Sequence, residues 1–119
     1  MKRYASHFLF LPRHGYLKQY VLEIGKNGIV RICPLSEEIE NTEWLPGVIV
    51  LLDNDRHTAI PDLSKEIFPL FDREEKPVFL LSVPESVEEE IAYSVPYLLF
   101  PFDFTAMQPV SETRHKLLR

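Results

Sequence analysis

The segment QYVLEIGKNGIVRIC, residues 19–33, predicts two short strands joined by a tight turn. Apolar side chains alternate from Gln19 to Ile24 with the two-residue period of a strand, and the run from Ile29 to Cys33 is again apolar and β-branched. Between them lies Gly-Lys-Asn-Gly at positions 25–28, and an Asn-Gly pair favours the positive φ values that close a hairpin. We therefore predict an N-terminal β-hairpin.

Apolar strands are predicted on both sides of this hairpin. Tyr4 to Leu11 is expected to be one strand buried on both faces, because aromatic side chains occupy one side of it and leucines the other. Trp44-Leu45-Pro46-Gly47 introduces a second buried strand, Val48 to Leu52. The intervening segment, Ser36 to Glu43, is acidic and polar and predicts an exposed connection, with one helical turn as an alternative.

Two short helices are predicted in the second half of the chain. Ten prolines divide the sequence into short elements and exclude a long helix. The apolar spacing from Leu63 to Phe71 predicts the first helix. The second is expected to begin at Pro84, with Val87 and Ile91 facing the core and glutamates facing water.

Two further strands complete the prediction. Val78 to Val83 is an apolar run, and Tyr97 to Phe104 is dense in aromatic residues, although Pro101 should confine this strand to a sheet edge or a bulge. The tail from Ser111 to Arg119 is expected to fray or to pack on the surface, with a helical turn as an alternative. The fold class predicted is α+β and mostly β, a small sandwich or half-barrel-like sheet with the N-terminal hairpin and two short helices.

The composition predicts one small cytoplasmic domain. A length of 119 residues with 45% hydrophobic and 26% charged residues is typical of a single globular unit, 1–119. No apolar run reaches the roughly 20 residues that cross a bilayer, and no signal-peptide cleavage site follows the first strand. Cys33 is the only cysteine, so an intramolecular disulfide and a cysteine-rich zinc site are excluded.

The net charge and its distribution along the chain limit the kinds of partner that are expected. The net charge of −5 argues against nucleic acid, and no sequence motif indicates a cofactor. Residues 1–35 contain six Lys/Arg and one acidic residue, a balance of +5, which leaves −10 for the other 84 residues. This asymmetry favours a contact between the two halves of one domain, or a head-to-tail contact between chains. A homo-oligomer or a protein partner is therefore expected, and no membrane partner.

Residues 1 to about 52 resemble the N-terminal segment of amidohydrolase-superfamily enzymes, the group that includes cytosine and guanine deaminases. The resemblance lies in an opening strand at Ser6–Leu11, a glycine-containing loop at 14–17, a hairpin at Val21–Ile32, an acidic connection and the turn Pro46-Gly47. In that family these strands form a β-sandwich, often called the composite domain, which flanks a metal-bearing barrel. The resemblance implies that residues 1–52 form such a collar and that residues 53–119 complete it.

The metal-binding signature of the family is missing. In these enzymes the Pro-Gly turn leads to a strand that ends in His-x-His, whose imidazoles hold a metal that activates water. Here Gly47 is followed by Val-Ile-Val-Leu-Leu-Asp, and nothing after Asp53 resembles the barrel. The resemblance therefore implies a collar without its usual enzyme.

Asp53, Asp55 and His57 are the one local cluster of side chains that could bind a metal. They follow a predicted buried strand at i, i+2 and i+4, in a loop position where functional residues often lie. Asp-Asn-Asp is also ordinary turn chemistry, so an exposed turn is the alternative.

Other candidates carry weaker signals. Tyr97, Phe100 and Phe102 could form an interface if their strand lies at a sheet edge, or could belong to the core. Cys33 is expected to be an unreactive, partly buried thiol, and His7 and His14 to be packing or surface residues.

Three functional hypotheses follow. The leading one is a non-catalytic binding or assembly module, with a homodimer through the strand near Phe100. The second is a small metal-binding protein or hydrolase that uses residues 53–57. The third is a collar subunit for a separate barrel protein.

Overall fold

A computed structural model describes residues 2–12, 14–35, 41–52, 71, 78–83 and 87–118. These residues form ten strands and one helix: β1 (Lys2–Ala5), β2 (Phe8–Leu11), β3 (Gly15–Leu17), β4 (Tyr20–Ile24), β5 (Val30–Pro34), β6 (Thr42–Trp44), β7 (Val48–Leu52), β8 (Phe79–Leu80), α1 (Glu88–Ala92), β9 (Val95–Asp103) and β10 (Gln108–Leu117).

The strands form two sheets, so the fold is mostly β, as predicted. One sheet has four strands in the order β5-β4-β1-β6, and the other has six in the order β10-β9-β7-β2-β3-β8. Buried residues from both sheets meet in one cluster, which gives a sandwich-like arrangement. We call this the interior cluster; its buried members are Leu9, Leu11, Leu17, Tyr20, Leu22, Val30, Ile49, Leu51, Val87, Ile91, Leu98 and Leu118.

The six-stranded sheet is covered on its other face too. A second group of buried residues lies there, rich in aromatic rings, and we call it the aromatic cluster. Its buried members are Phe10, Tyr16, Val48, Val50, Leu52, Phe71, Tyr97, Leu99, Phe102 and Met107. Burial on both faces explains the uninterrupted apolar sequence of β7, which pairs parallel to β2 and antiparallel to β9.

The hairpin prediction is confirmed, with one difference in its turn. β4 and β5 pair antiparallel, with Leu22 opposite Ile32. Within the turn only Gly28 has a positive φ, +81°, while Asn27 uses its side-chain Oδ1 to accept a hydrogen bond from the Ile29 N–H. The expected pair of positive φ values is therefore reduced to one.

The prediction of one continuous strand from Tyr4 to Leu11 is wrong. The chain leaves the four-stranded sheet after Ala5 and enters the six-stranded sheet at Phe8. Ser6 fixes this corner because its buried hydroxyl donates to the carbonyl oxygen of Phe8 at 2.7 Å. The switch lets one short segment contribute a strand to each sheet.

The strand around Pro101 is interior rather than at an edge. β9 lies between β7 and β10, but its pairing with β7 covers only residues 95–99. Pro101 lies beyond this pairing and opposite a register shift in β10 between Pro109 and Arg114. Of the two alternatives predicted for Pro101, a sheet edge or a bulge, the structure shows the bulge.

The C-terminal tail was also wrongly predicted. Residues 108–117 form β10, an edge strand that pairs with β9. Charged side chains, Pro109 and the bulge suit a strand at a sheet edge, because they hinder pairing with a further strand. The tail is therefore held as a strand by its pairing with β9, although its sequence shows no apolar periodicity.

The remaining elements are short. β8 covers only Phe79–Leu80 of the predicted strand 78–83, and β6 pairs parallel to β1 within the end of the segment predicted as a connection. Of the two predicted helices, the described residues contain α1, with Val87 and Ile91 buried. The other falls on residues 63–71, of which only Phe71 is described. In the described part of the chain, no helix is long and apolar enough to cross a membrane.

Candidate functional site

The predicted metal cluster, Asp53, Asp55 and His57, lies outside the described residues. Within the residues that the structure does describe, no three His, Cys, Asp or Glu side chains lie close enough together to hold a metal ion.

The predicted interface residues lie in different environments. Tyr97 and Phe102 are buried in the aromatic cluster, where the Phe102 ring packs 5.4 Å from that of Phe71. Phe100 is half exposed beside the Gly47 backbone. Tyr97 and Phe102 therefore belong to the core, one of the two alternatives predicted for these residues, and Phe100 lies at the surface.

Cys33 is held in an environment that suppresses thiolate formation. Burial raises the pKa of its thiol, and the neighbouring Glu23 carboxylate raises that pKa further. Arg3 and Arg31 act in the opposite direction, but Arg3 is already bound to Glu23 at 3.2 Å. A protonated, weakly nucleophilic thiol is the result.

His14 and Glu90 connect the β2–β3 loop to α1. Nε2 of His14 lies 3.6 Å from Oε2 of Glu90, at a small cavity that Leu11 and Leu51 also line. The backbone N–H of His14 donates to the Leu11 carbonyl at 2.8 Å, which holds the loop. The distance is too long for a hydrogen bond, and within the described residues the buried Nε2 of His14 has no hydrogen-bond partner.

Five rings form a continuous line on the surface, which we call the aromatic strip: Trp44, His7, Phe104, Phe8 and Phe79. Successive centroids are 5.2, 4.6, 5.9 and 5.8 Å apart, distances at which rings contact each other. Trp44 and Phe79 are each 54% exposed and Phe104 is 37% exposed. The strip extends the aromatic cluster outward, because Phe8 also contacts Tyr16.

His7 is fixed at the centre of the strip by a backbone donor. Its Nδ1 accepts a hydrogen bond from the N–H of Gly47 at 3.2 Å, so the neutral imidazole carries its proton on Nε2. Gly47 can present that N–H because it has a φ of +119°. A Cβ here would collide with the carbonyl oxygen of Leu99. The Pro-Gly turn thus positions a surface histidine between two rings.

Glu43 and Lys18 are exposed charged residues close in sequence to the strands of this region. Glu43 directly precedes Trp44 on β6, and because side chains alternate along a strand it points to the opposite face, where its charge acts on Tyr4. Lys18 follows Leu17 at the end of β3, the strand that pairs with β8.

A groove lies beside β5, on the opposite side of that strand from β4. It has a volume of about 420 Å³, within the range of known ligand sites. β5 and the preceding turn residue form one wall, and α1 with Val83 forms the other; the lining residues are Ile29, Val30, Arg31, Ile32, Val83, Glu88, Ile91 and Ala92. We call this space the β5 groove.

Neither surface was identified from the sequence. The rings of the aromatic strip come from four separated segments, and none of these residues is unusual when taken alone. The β5 groove depends on the placement of α1, which no local pattern encodes. The Pro46-Gly47 turn is visible in the sequence, but there it indicates only the family resemblance and not the position of His7.

Comparison of the chain with protein-family profiles, with curated proteins and with solved structures finds no match in any of the three.

Proposed function

We propose that this chain is a non-catalytic assembly module that self-associates through the aromatic strip. The observation that carries the proposal is the unbroken series of five contacting rings, four of them more than one-third exposed. Contiguous exposed apolar surface marks interaction sites, and aromatic residues, tryptophan above all, supply most of the binding energy at protein interfaces.

A second copy of the chain is the proposed partner because residues 1–35 carry a balance of +5 and the other 84 residues −10, so that two copies attract each other. In a twofold interface the same surface meets itself, so the rings of one strip pack on the rings of the other. The charge complementarity adds specificity and orientation, while the rings supply the affinity. Phe100, the half-exposed member of the predicted interface residues, lies beside the Gly47 backbone, whose N–H holds His7 of the strip.

The experiment measures the oligomeric state of the full chain by sedimentation velocity across the micromolar range. The wild type is expected to show a reversible monomer–dimer equilibrium, and Trp44→Ala to weaken it at least about tenfold, the loss of a typical interface hot spot. Tyr93→Ala is the matched control. Tyr93 is 71% exposed and, among the described residues, makes no ring contact with the strip, so this variant should dimerise normally.

A strict monomer over that range, or equal dimerisation by wild type and Trp44→Ala, contradicts the proposal.

A metal-binding or hydrolytic function at Asp53, Asp55 and His57 is the alternative proposal. It is supported by the burial of β7, since the three residues begin directly after its last residue, Leu52. Metal analysis of the purified protein, with His57→Ala as control, tests it. An absence of bound metal together with no ion-dependent rise in melting temperature contradicts it, because a ligand that binds only the native state must stabilise that state.

The resemblance to the amidohydrolase composite domain leads to a third proposal, a collar subunit for a separate barrel protein. The support is the hairpin, the Pro46-Gly47 turn and a following strand without His-x-His. The proposal predicts a neighbouring coding region for a barrel that lacks its own first strands.

A further inference from the structure

The outer edge of β5 carries backbone groups that point away from its own sheet. In the β4–β5 register, Gly25 donates its N–H to Ile29 and Leu35 donates its N–H to Gln19. Hydrogen-bonded pairs alternate with non-bonded pairs along an antiparallel ladder, so residues 29, 31, 33 and 35 bond to β4. The N–H and C=O groups of Val30 and Ile32 therefore point outward, and among the described residues they have no hydrogen-bond partner.

These outward groups face the β5 groove. The groove runs along the strand edge beside α1, which packs against β5, and an added strand would lie about 4.8 Å from β5. Val83, Ile91 and Ala92 supply apolar contacts in the groove, and Arg31 and Glu88 supply polar ones. An unpaired strand edge beside such a groove is the arrangement in which an extended peptide adds to a sheet.

We propose that the β5 groove binds an extended peptide segment that pairs antiparallel with β5 as an additional strand. The segment has apolar residues opposite Val30 and Ile32 and an acidic residue between them, opposite Arg31. Val30 and Ile32 face the interior cluster, so side chains beside them are directed toward the apolar wall. Arg31 is exposed on the other face, where a carboxylate can pair with it.

Arg31 is available for this contact. Its cross-strand neighbour Glu23 is already bound to Arg3 at 3.2 Å, and within the described residues Arg31 makes no ion pair. Glu88 lies on the helical wall and disfavours a second acidic side chain on that side of the segment. The groove therefore prefers one acidic residue at one position rather than general negative charge.

A second copy of β5 is a poor occupant of the same edge. Antiparallel self-pairing centred on residue 31 places Arg31 opposite Arg31, and like charges directly opposite destabilise a pair of strands. Centring on Ile32 places Pro34, which has no N–H, opposite Val30. Centring on Val30 leaves most of the strand unpaired. The sequence of β5 thus favours a segment of different composition, and the proposal does not depend on dimerisation through the aromatic strip.

The test uses short capped synthetic peptides with a central Val-Asp-Val or Val-Lys-Val, titrated into the full chain and followed by backbone amide NMR shifts. The Asp peptide is expected to bind at least tenfold more tightly than the Lys peptide, with shifts at Val30 to Ile32. Arg31→Glu, checked for folding by circular dichroism, should reverse the preference.

Backbone methylation of the peptide separates strand pairing from simple apolar binding. N-methylation of either valine amide, which faces β5, should weaken binding at least tenfold, while N-methylation of the central Asp amide, which faces away, should leave it nearly unchanged. Equal losses at all positions, or no binding of either peptide, overturn the proposal. Trp44→Ala should bind the Asp peptide normally, so that failure of one proposal is distinguishable from failure of the other.

Discussion

The two apolar clusters on either side of the six-stranded sheet differ in composition and in how completely they are shielded from solvent. The interior cluster is mostly aliphatic, and several of its side chains, such as Leu17 and Ile49, are fully buried. The aromatic cluster is packed around Phe10, Tyr16 and Phe71 and continues to the surface through Phe8 and the aromatic strip. The residues of the buried core are therefore separable from the exposed rings of the strip.

The largest expected effect is a loss of stability on truncating a side chain of the interior cluster. Leu17→Ala should lower the free energy of unfolding by about 2–5 kcal/mol, because it leaves a cavity where the side chain has no exposure at all. Phe79→Ala, on the adjacent strand but 54% exposed, should cost only about 1 kcal/mol or less. Urea unfolding of the two variants measures the difference. Equal losses would mean that the strip is part of the stabilising core.

The second prediction concerns the turn that supports the strip. Gly47→Ala should destabilise the chain by more than about 2 kcal/mol, because the new Cβ meets the Leu99 carbonyl in addition to the strain of a positive φ. Gly28→Ala is the matched control, since its φ is also positive but no atom lies within contact distance of the added Cβ. Its cost should be about 1–2 kcal/mol, from the backbone alone.

Thermal melts followed by circular dichroism compare the two glycine variants. A Gly47→Ala variant as stable as Gly28→Ala would show that the Pro-Gly turn can relax without disturbing β9. In that case His7 would not depend on the turn for its position.

Elements specified by local sequence signals were predicted correctly, whereas elements that depend on contacts between distant segments were not. The hairpin and β7 were predicted because turn residues and an apolar run are local signals. β10 was not predicted because its sequence is polar and has no apolar alternation. The strand is ordered by pairing with β9. The break at Ser6 was missed because a strand that changes sheets keeps the same alternation on both sides of the corner.

The candidate surfaces were missed for the same reason. His7, Trp44, Phe79 and Phe104 are brought together only by strand pairing between distant segments. Arg31 was visible only as part of a basic first half, and its role depends on an unpaired strand edge. Residue types could therefore suggest interfaces, but only the topology could place them.

The smallest predicted effect lies on a third surface, the side of the four-stranded sheet that carries Glu23 and Cys33. Because burial and the Glu23 carboxylate raise the thiol pKa, Glu23→Gln should lower that pKa and increase the thiolate fraction at fixed pH. Alkylation of Cys33 by iodoacetamide near pH 8 should become severalfold faster, while the rate above the thiol pKa, where both proteins are thiolates, should change little. An equal increase at every pH would indicate greater access rather than a changed pKa, and an unchanged rate would mean that burial alone keeps the thiol protonated. Either result would place Cys33 with the packed residues of the fold and not with a polar pair at its surface.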